Sequence, residues 1–383
     1  ALEIEARGDP GWPARGLAGL LSAADLTHVS NEVSFMPGCQ ASAESPAFCS
    51  SPEYMEVLRL VGTDVVELTG NHNLDFGGTY ALQSLDLYAE EGMATFGGGR
   101  DAAAASQPLI VTHNGNRLAF LGYNQFGPDY ALAGPASPGA ASFSLAAVQA
   151  GVAEARRQAD LVFVNVQYTE AYQAEPLPEQ VADFRAIADA GADVVTGSQA
   201  HQPQHVELHG GKPIFYGLGN LFFDQTWSPA TRQSLIVRHY VYQGRLLSVE
   251  ILPTAMDGDY QPTLAEGQER DEILRTIRQR RGGMGVFDLD APEGDAPAFL
   301  TLAEADAGLI VLTAAAPEAQ YQPLLAGQSK RRWSSQRRFD RSRVPSATCP
   351  RESVLPIRLR PDFSVVFEGY AGGAEHRPRR REA

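Results

Sequence analysis

No run of about eighteen apolar residues occurs in this 383-residue chain, so no segment reads as a membrane-spanning helix. Positive charge is scarce as well. Thirty-one Lys and Arg stand against 46 Asp and Glu, a formal charge of −15 with a pI near 5.0, which withdraws support from a nucleic-acid-binding role. Cysteine is rarer still, at three residues, and no spacing among them matches a metal site. Cys39 and Cys49 flank a Ser-, Ala- and Pro-rich stretch, CQASAESPAFC, and Cys349 stands alone. Two readings of the pair stand side by side: a loop-closing disulfide in an oxidising compartment, or two unrelated buried thiols. The chain also lacks an initiating Met, opening on ALEIEARGDPGW, so the lack of a signal peptide decides nothing about its compartment.

What is present describes a globular protein. Hydrophobic residues make up 44%, enough for a full-sized core, and 25 Pro with 37 Gly imply many loops. The length suits one large α/β domain with an appendage, or two ordinary domains. Charge is uneven along it. Residues 329–383 hold 14 of the 31 Lys and Arg and only 6 of the 46 Asp and Glu, a basic tail on a body of net −23. Such a tail reads either as a solvated extension or as a polyanion-binding arm.

Up to about residue 250 helical and strand patterns alternate, which argues for an α/β architecture. Helices are expected over WPARGLAGLLSA, PEYMEVLRLVG, GGTYALQSLDLYAEEG, SLAAVQAGVAEARRQ and LPEQVADFRAIADAG, each with apolar residues three and four apart. Several open with Pro near the first turn and close on Gly. A second strand set follows: RLAFLGYN, KPIFYGLGNLFFDQ, QSLIVRHYVYQG and RLLSVEILPTA, with Gly244 as the turn between the last two. One more helical segment, ERDEILRTIRQRR, precedes a region beyond residue 290 where periodicity weakens. The expected boundary therefore separates residues 1–290 from a poorly specified, basic C-terminal region, 291–383.

Four strands share a pattern: ADLTHVSNE, TDVVELTGNHN, ADLVFVNVQYTE and ADVVTGSQAHQ. Each opens with a small and an acidic residue, runs through apolar residues, and ends in ligand-capable side chains. The tips carry Asn31 and Glu32; Asn71, His72 and Asp75; Asn165, Gln167 and Glu170; Ser198, Gln199 and His201. In open α/β sheets ligands bind beyond the carboxyl ends of the strands, so these tips are expected to converge on one crevice. The glycines of TFGGGR lack the spacing and the Lys of a phosphate-cradling loop and read as a turn. His28, His113, His205, His209 and His239 read as solvated or core histidines.

The segment LTGNHNLDFGG resembles the strand–loop of calcineurin-like metallophosphoesterases, where Gly-Asn-His is followed by an acidic residue. The longer stretch GADVVTGSQAHQPQHVELHGGKPIFYGLGNLFFDQ, residues 191–225, resembles the bacterial capsule-synthesis (CapA, poly-γ-glutamate synthesis) family within that superfamily, and the SNEV tip is similar to its Asn-Leu-Glu motif. The resemblance covers roughly residues 17–254. It implies a four-layer α/β/β/α sandwich of the metallo-dependent phosphatase type. It also implies a site holding divalent ions (Mn, Mg, Ca or Zn) about 3.5–4 Å apart that clamp a phosphate and activate water. On that basis Glu32, Asn71 and His201 are the expected metal ligands and His72 the general acid. Asn31, Asp75, Gln167, Glu170, Gln199 and Asn220 are expected to face substrate.

The sequence departs from the family at three places. Its first motif, a strand carrying Gly-Asp, has no counterpart here, so the chain is expected to begin after it. Gln167 stands where the fourth motif has a His, and Ser198 and Gln199 stand where the last has one. Amides and a hydroxyl are weak ligands for zinc or iron and tolerable ones for magnesium, calcium or manganese. Two functional expectations follow from the resemblance. One is a metal-dependent hydrolase of the cell envelope, outside the cytoplasm, acting on an anionic surface polymer or a phosphoester in capsule or poly-γ-glutamate synthesis. The other is a non-catalytic envelope protein that binds polymer or glycan on the same fold.

Overall fold

Strands that bury both faces need cover on both, and the apolar residues of this chain are divided to supply it. The computed structural model describes residues 7–39, 47–278, 298–301 and 363–371. Among these, one sheet holds eight strands: β1 (Leu26–Asn31), β2 (Val65–Glu67), β3 (Ala94–Phe96), β12 (Gln233–Tyr242), β13 (Arg245–Met256), β14 (Pro262–Leu264), β15 (Ala298–Thr301) and β16 (Phe363–Ala371). A second holds six: β5 (Leu109–His113), β6 (Asn116–Asn124), β8 (Leu161–Gln167), β9 (Val194–Ser198), β10 (Val206–His209) and β11 (Lys212–Phe215). A short ribbon pairs β4 (Gly98–Gly99) with β7 (Gly139–Ala140). The helices are α1 (Ala18–Leu21), α2 (Met55–Leu60), α3 (Gly78–Glu90), α4 (Ala102–Ala105), α5 (Leu145–Gln158), α6 (Pro178–Asp189) and α7 (Gly267–Ile277).

Alternation along the strands sorts the side chains into three layers of core. Leu26, Val65, Leu118, Phe120, Leu161, Phe163, Phe215, Leu235 and Val237 meet between the sheets. Their strand neighbours point outward. Ala119, Leu121, Val162, Val164 and Val195 pack with Val148 and Val152 of α5 and Phe184 and Ile187 of α6. On the opposite side Val29, Val66 and Ile236 pack with Met55 and Leu58 of α2 and Tyr88 of α3. The expected α/β/β/α sandwich is the observed fold, and each fully buried Val, Leu or Phe contributes about 1.5–3 kcal/mol to it. Helix starts follow their sequence signals: Ser144 caps α5 by accepting from the Ala147 N–H, and Pro178 opens α6.

The acidic residue that opens three of the four patterned strands has a structural task. Asp64 accepts from the Thr27 N–H (2.8 Å), Asp160 from Arg117 (2.9 Å) and Asp193 from Val162 (2.7 Å). In each case the same Asp donates its own backbone N–H to the carbonyl of the residue it caps. The repeated Asp is a register clamp between neighbouring parallel strands.

One expectation is corrected here. The boundary drawn at residue 290 does not separate two structures, because β15 pairs with β13 and β16 lies between β12 and β1 in the first sheet. β16 runs parallel to β1, from Leu26↔Val366 to Asn31↔Ala371, and antiparallel to β12. The strand position between β1 and β12 is thus taken by residues 363–371. The weak periodicity of the intervening sequence hid a short strand whose neighbours are remote in the chain. The basic residues 329–362 lie outside the described residues, as does Cys349.

Candidate functional site

The carboxyl ends of β1 and β2 in one sheet and of β8 and β9 in the other face each other, and one amide joins them. Gln167, fully buried at the end of β8, directs Nε2 at Glu32 Oε1 (2.9 Å), Asn71 Oδ1 (2.5 Å) and Gln199 Oε1 (2.8 Å). Glu32 and Asn71 can approach because glycines flank them. A Cβ on Gly70 would lie 2.5 Å from Glu32 Cα, and one on Gly127 would lie 2.5 Å from Asn71 Cβ. A further cross-sheet bond, from Asn124 Nδ2 to the Thr69 carbonyl (2.6 Å), holds the β2 tip against β6.

The network continues into His72. Its Nδ1 donates to Asp75 Oδ2 (2.7 Å), so in the neutral ring Nε2 accepts, here from Asn71 Nδ2 at 3.3 Å. Asp75, whose side chain is 1% exposed, also receives the Phe48 N–H on Oδ2 (2.7 Å) and the Tyr130 hydroxyl on Oδ1 (3.2 Å). Burial disfavours the His72 imidazolium, but the Asp75 hydrogen bond and the charges of Glu32, Asp75 and Glu170 outweigh it, and the pKa lies above the ordinary value. His72 remains 22% exposed, so this ring of the network is open to an incoming group.

His201 heads a second cluster. Its Nδ1 is 3.1 Å from Asn220 Oδ1 and its Nε2 is 3.9 Å from Glu170 Oε1, while Tyr172 stacks on its ring at 5.1 Å between centroids. Trp227 lies against Tyr172 in turn. Three residues here hold positive φ without being glycine: Tyr172 (45°), Gln199 (79°) and His201 (55°). Such backbone costs about 1–3 kcal/mol per residue and gathers at working sites. The exposed aromatics Tyr130, Tyr172 and Trp227 attach to the same two clusters, through Asp75 on one side and His201 on the other.

The family described as bacterial capsule synthesis protein PGA_cap matches residues 3–225, more than half of the sequence. The chain belongs to this family. Among relatives of the PGA_cap chain, the capsule biosynthesis protein CapA of Bacillus anthracis is 26% identical over 229 residues, 59% of this chain and 56% of that protein. The PGA biosynthesis protein CapA of Bacillus subtilis (strain 168) is 26% identical over 269 residues, 68% of this chain and 70% of that protein. The chain thus spans little more than half of the B. anthracis relative. The solved NAD nucleotidase (NadN) of Haemophilus influenzae superposes with a TM-score of 0.39 at 12% identity, covering 70% of this chain and 55% of that one.

In this PGA_cap chain the expected site residues divide. Glu32, Asn71, His72, Gln167 and Gln199 come together in one network, and the charge of Glu170 reaches His72. Three of the residues expected to face substrate are held by partners within the protein. Asn31 turns to the helical layer, donating to Tyr88 Oη (2.5 Å) and the Val33 carbonyl, because neighbouring strand positions face opposite ways. Asp75 is consumed by His72, Phe48 and Tyr130. Asn220 pins a loop, donating to the His201 and Thr231 carbonyls and to Gln225 Oε1. His28 and His239 are core residues, packed on Phe96, Phe120 and Phe163.

The residues do not fit the ion pair that the resemblance implies. Three oxygens converge on Gln167 Nε2, where an amide bears two hydrogens, and Gln167 Oε1 is left buried without a hydrogen-bond partner. His201 is engaged by Asn220 and Tyr172 rather than by the Glu32–Asn71 group. Among the described residues, no group of three or more His, Cys, Asp and Glu comes together to hold a metal. In this geometry Gln167 bridges Glu32 and Asn71, while His201 is held by Asn220 and Tyr172. Sequence reasoning missed Phe48, Tyr130 and Tyr172, which enter from separate loops with no motif around them.

Proposed function

We propose that this chain serves in the synthesis or processing of a capsule polymer of the poly-γ-glutamate type at the cell envelope, and that its strand-tip crevice binds the polymer rather than cleaving it by two-metal chemistry. Family membership supports the polymer context. The observation that carries the binding reading is the Gln167 amide, which fills by hydrogen bonding the place where Glu32, Asn71 and Gln199 would otherwise face one another. Two carboxyl or amide oxygens brought together without a donor or a cation repel, and the two hydrogens of the Gln167 amide relieve that repulsion for two of the three oxygens at a time. The exposed rings of Tyr130, Tyr172 and Trp227 give a polymer apolar contact beside polar tips, and the partly exposed His72 ring adds a hydrogen-bonding group beside them.

The hydrolase reading keeps one observation in its favour, the His72–Asp75 pair, whose geometry suits a general acid. The two readings part on metal. After incubation with excess Mn²⁺ and dialysis, the parent is expected to hold no stoichiometric metal, to turn over no phosphodiester, and to bind poly-γ-glutamate with a change in tryptophan fluorescence. Gln167→His, which exchanges the donor amide for an imidazole ligand, is expected to gain divalent-ion binding, whereas Gln167→Ala is expected to lose about 1–3 kcal/mol of stability and gain none. A parent that retains stoichiometric metal and hydrolyses a phosphodiester overturns the binding reading in favour of the hydrolase.

A further inference from the structure

Phe48, beside Cys49, reaches across to His72. Cys39 and Cys49 are joined as a disulfide, with Cα atoms 5.9 Å apart, which answers the question their spacing posed. The residue before Cys49 is Phe48. Its ring meets the His72 ring edge-on at 4.5 Å between centroids, and its backbone N–H donates at 2.7 Å to Asp75 Oδ2, the same oxygen that accepts from His72 Nδ1. Phe48 thus touches both members of the pair. The feet of the segment are held separately: Met36 N–H donates to the Ser50 carbonyl (2.8 Å) and Ser50 N–H to the Ser34 carbonyl (3.0 Å). The disulfide is therefore not needed to join the segment to the domain. What it constrains is the short approach to Phe48.

We propose that the Cys39–Cys49 disulfide is a positioning device for the crevice, with Phe48 as the positioning residue that fixes the ring of His72 and the carboxylate of Asp75 in one orientation. This holds whether His72 gives a proton or a hydrogen bond, so it does not rest on the binding reading, and its test reads the imidazole rather than metal or turnover.

The test is NMR of the full chain labelled with ¹³C,¹⁵N-histidine, with the His72 signals assigned by their loss in His72→Gln. In the oxidised parent His72 is expected as the Nδ1–H tautomer, with an Nδ1–H proton slow enough in exchange to be seen. Dithiothreitol is expected to abolish that proton signal and move the ring-carbon proton signals, while far-UV circular dichroism stays unchanged. Phe48→Ala, with the disulfide intact and the backbone N–H in place, should move the ring-carbon proton signals and keep the Nδ1–H signal. Phe48→Tyr should restore the parent pattern. A reduced, folded protein that keeps every His72 signal overturns the proposal. Should reduction unfold the chain, Phe48→Ala decides: His72 signals left in place by that substitution overturn it equally.

Discussion

At His72 two opposing effects meet, and their balance sets a pH dependence. Desolvation pushes the imidazolium pKa down; the hydrogen bond to Asp75 and the fields of Glu32, Asp75 and Glu170 push it up and prevail. A histidine whose folded pKa lies above its unfolded value contributes stability that is fully present below the unfolded pKa and is lost as pH rises through the folded one. His72→Gln removes that contribution. The difference in unfolding free energy between parent and His72→Gln should be larger at about pH 5.5, below the ordinary histidine pKa, than at about pH 8.5, as the folded ring loses its proton with rising pH. Urea unfolding at the two pH values checks it, and a difference that grows with pH would mean that burial, not the carboxylates, dominates at this ring. Protonation also turns Nε2 into a donor, so Asn71 Nδ2, now 3.3 Å away, must release it. The neutral ring and the present Asn71 orientation belong together.

At the scale of the strand, the acidic residue that opens three of the four patterned segments works away from the crevice. Asp193 is the clearest case: it accepts from the Val162 N–H, donates its own N–H to the Val162 carbonyl, and pairs with Arg156 of α5. It therefore fixes β9 against β8, and with that the register that sets Gln167 beside Ser198. Asp193→Ala leaves the Val162 N–H at the start of a buried strand without its acceptor, and the cost should be roughly 1–3 kcal/mol. The lowered urea midpoint should appear without a change in slope, since the surface exposed on unfolding is the same. A substitution cost near zero would mean that the repeated Asp does not clamp the register.

For the whole molecule, the sheet does not close without the end of the chain. β16 supplies partners to all six residues of β1 and to six residues of β12, and β1 carries Glu32 at its tip. A chain ending at residue 290 would leave two buried strand edges facing each other with their N–H and C=O groups unpaired. Truncation at residue 290 should therefore abolish the cooperative unfolding transition or lower its midpoint strongly, and should disturb the crevice along with the core. Circular dichroism and urea unfolding of the truncated chain beside the parent measure this. Retention of the parent midpoint would show that the first 290 residues are self-sufficient.

Local sequence determined the elements and the polar tips, because both rest on short-range physics. Apolar residues three and four apart make α5 and α6 amphipathic wherever they pack, and the β-branched runs of β2, β8 and β9 are strands by the same local preference. The Gly-Asn-His segment and the family pattern at residues 191–225 were legible for the same reason: their spacing is contained within a few turns of chain. Tertiary structure alone decided the rest. That Gln167 occupies the space between Glu32, Asn71 and Gln199 depends on two sheets meeting tip to tip, across separations of 135, 96 and 32 residues, which no local pattern encodes. Asn31 and Glu32 are neighbours in sequence, yet the pleat sends one to Tyr88 and the other to the crevice. β16 joins β1 through backbone hydrogen bonds, which carry no residue identity, so its place in the sheet is set by what remains unpaired when every other strand has found its neighbour.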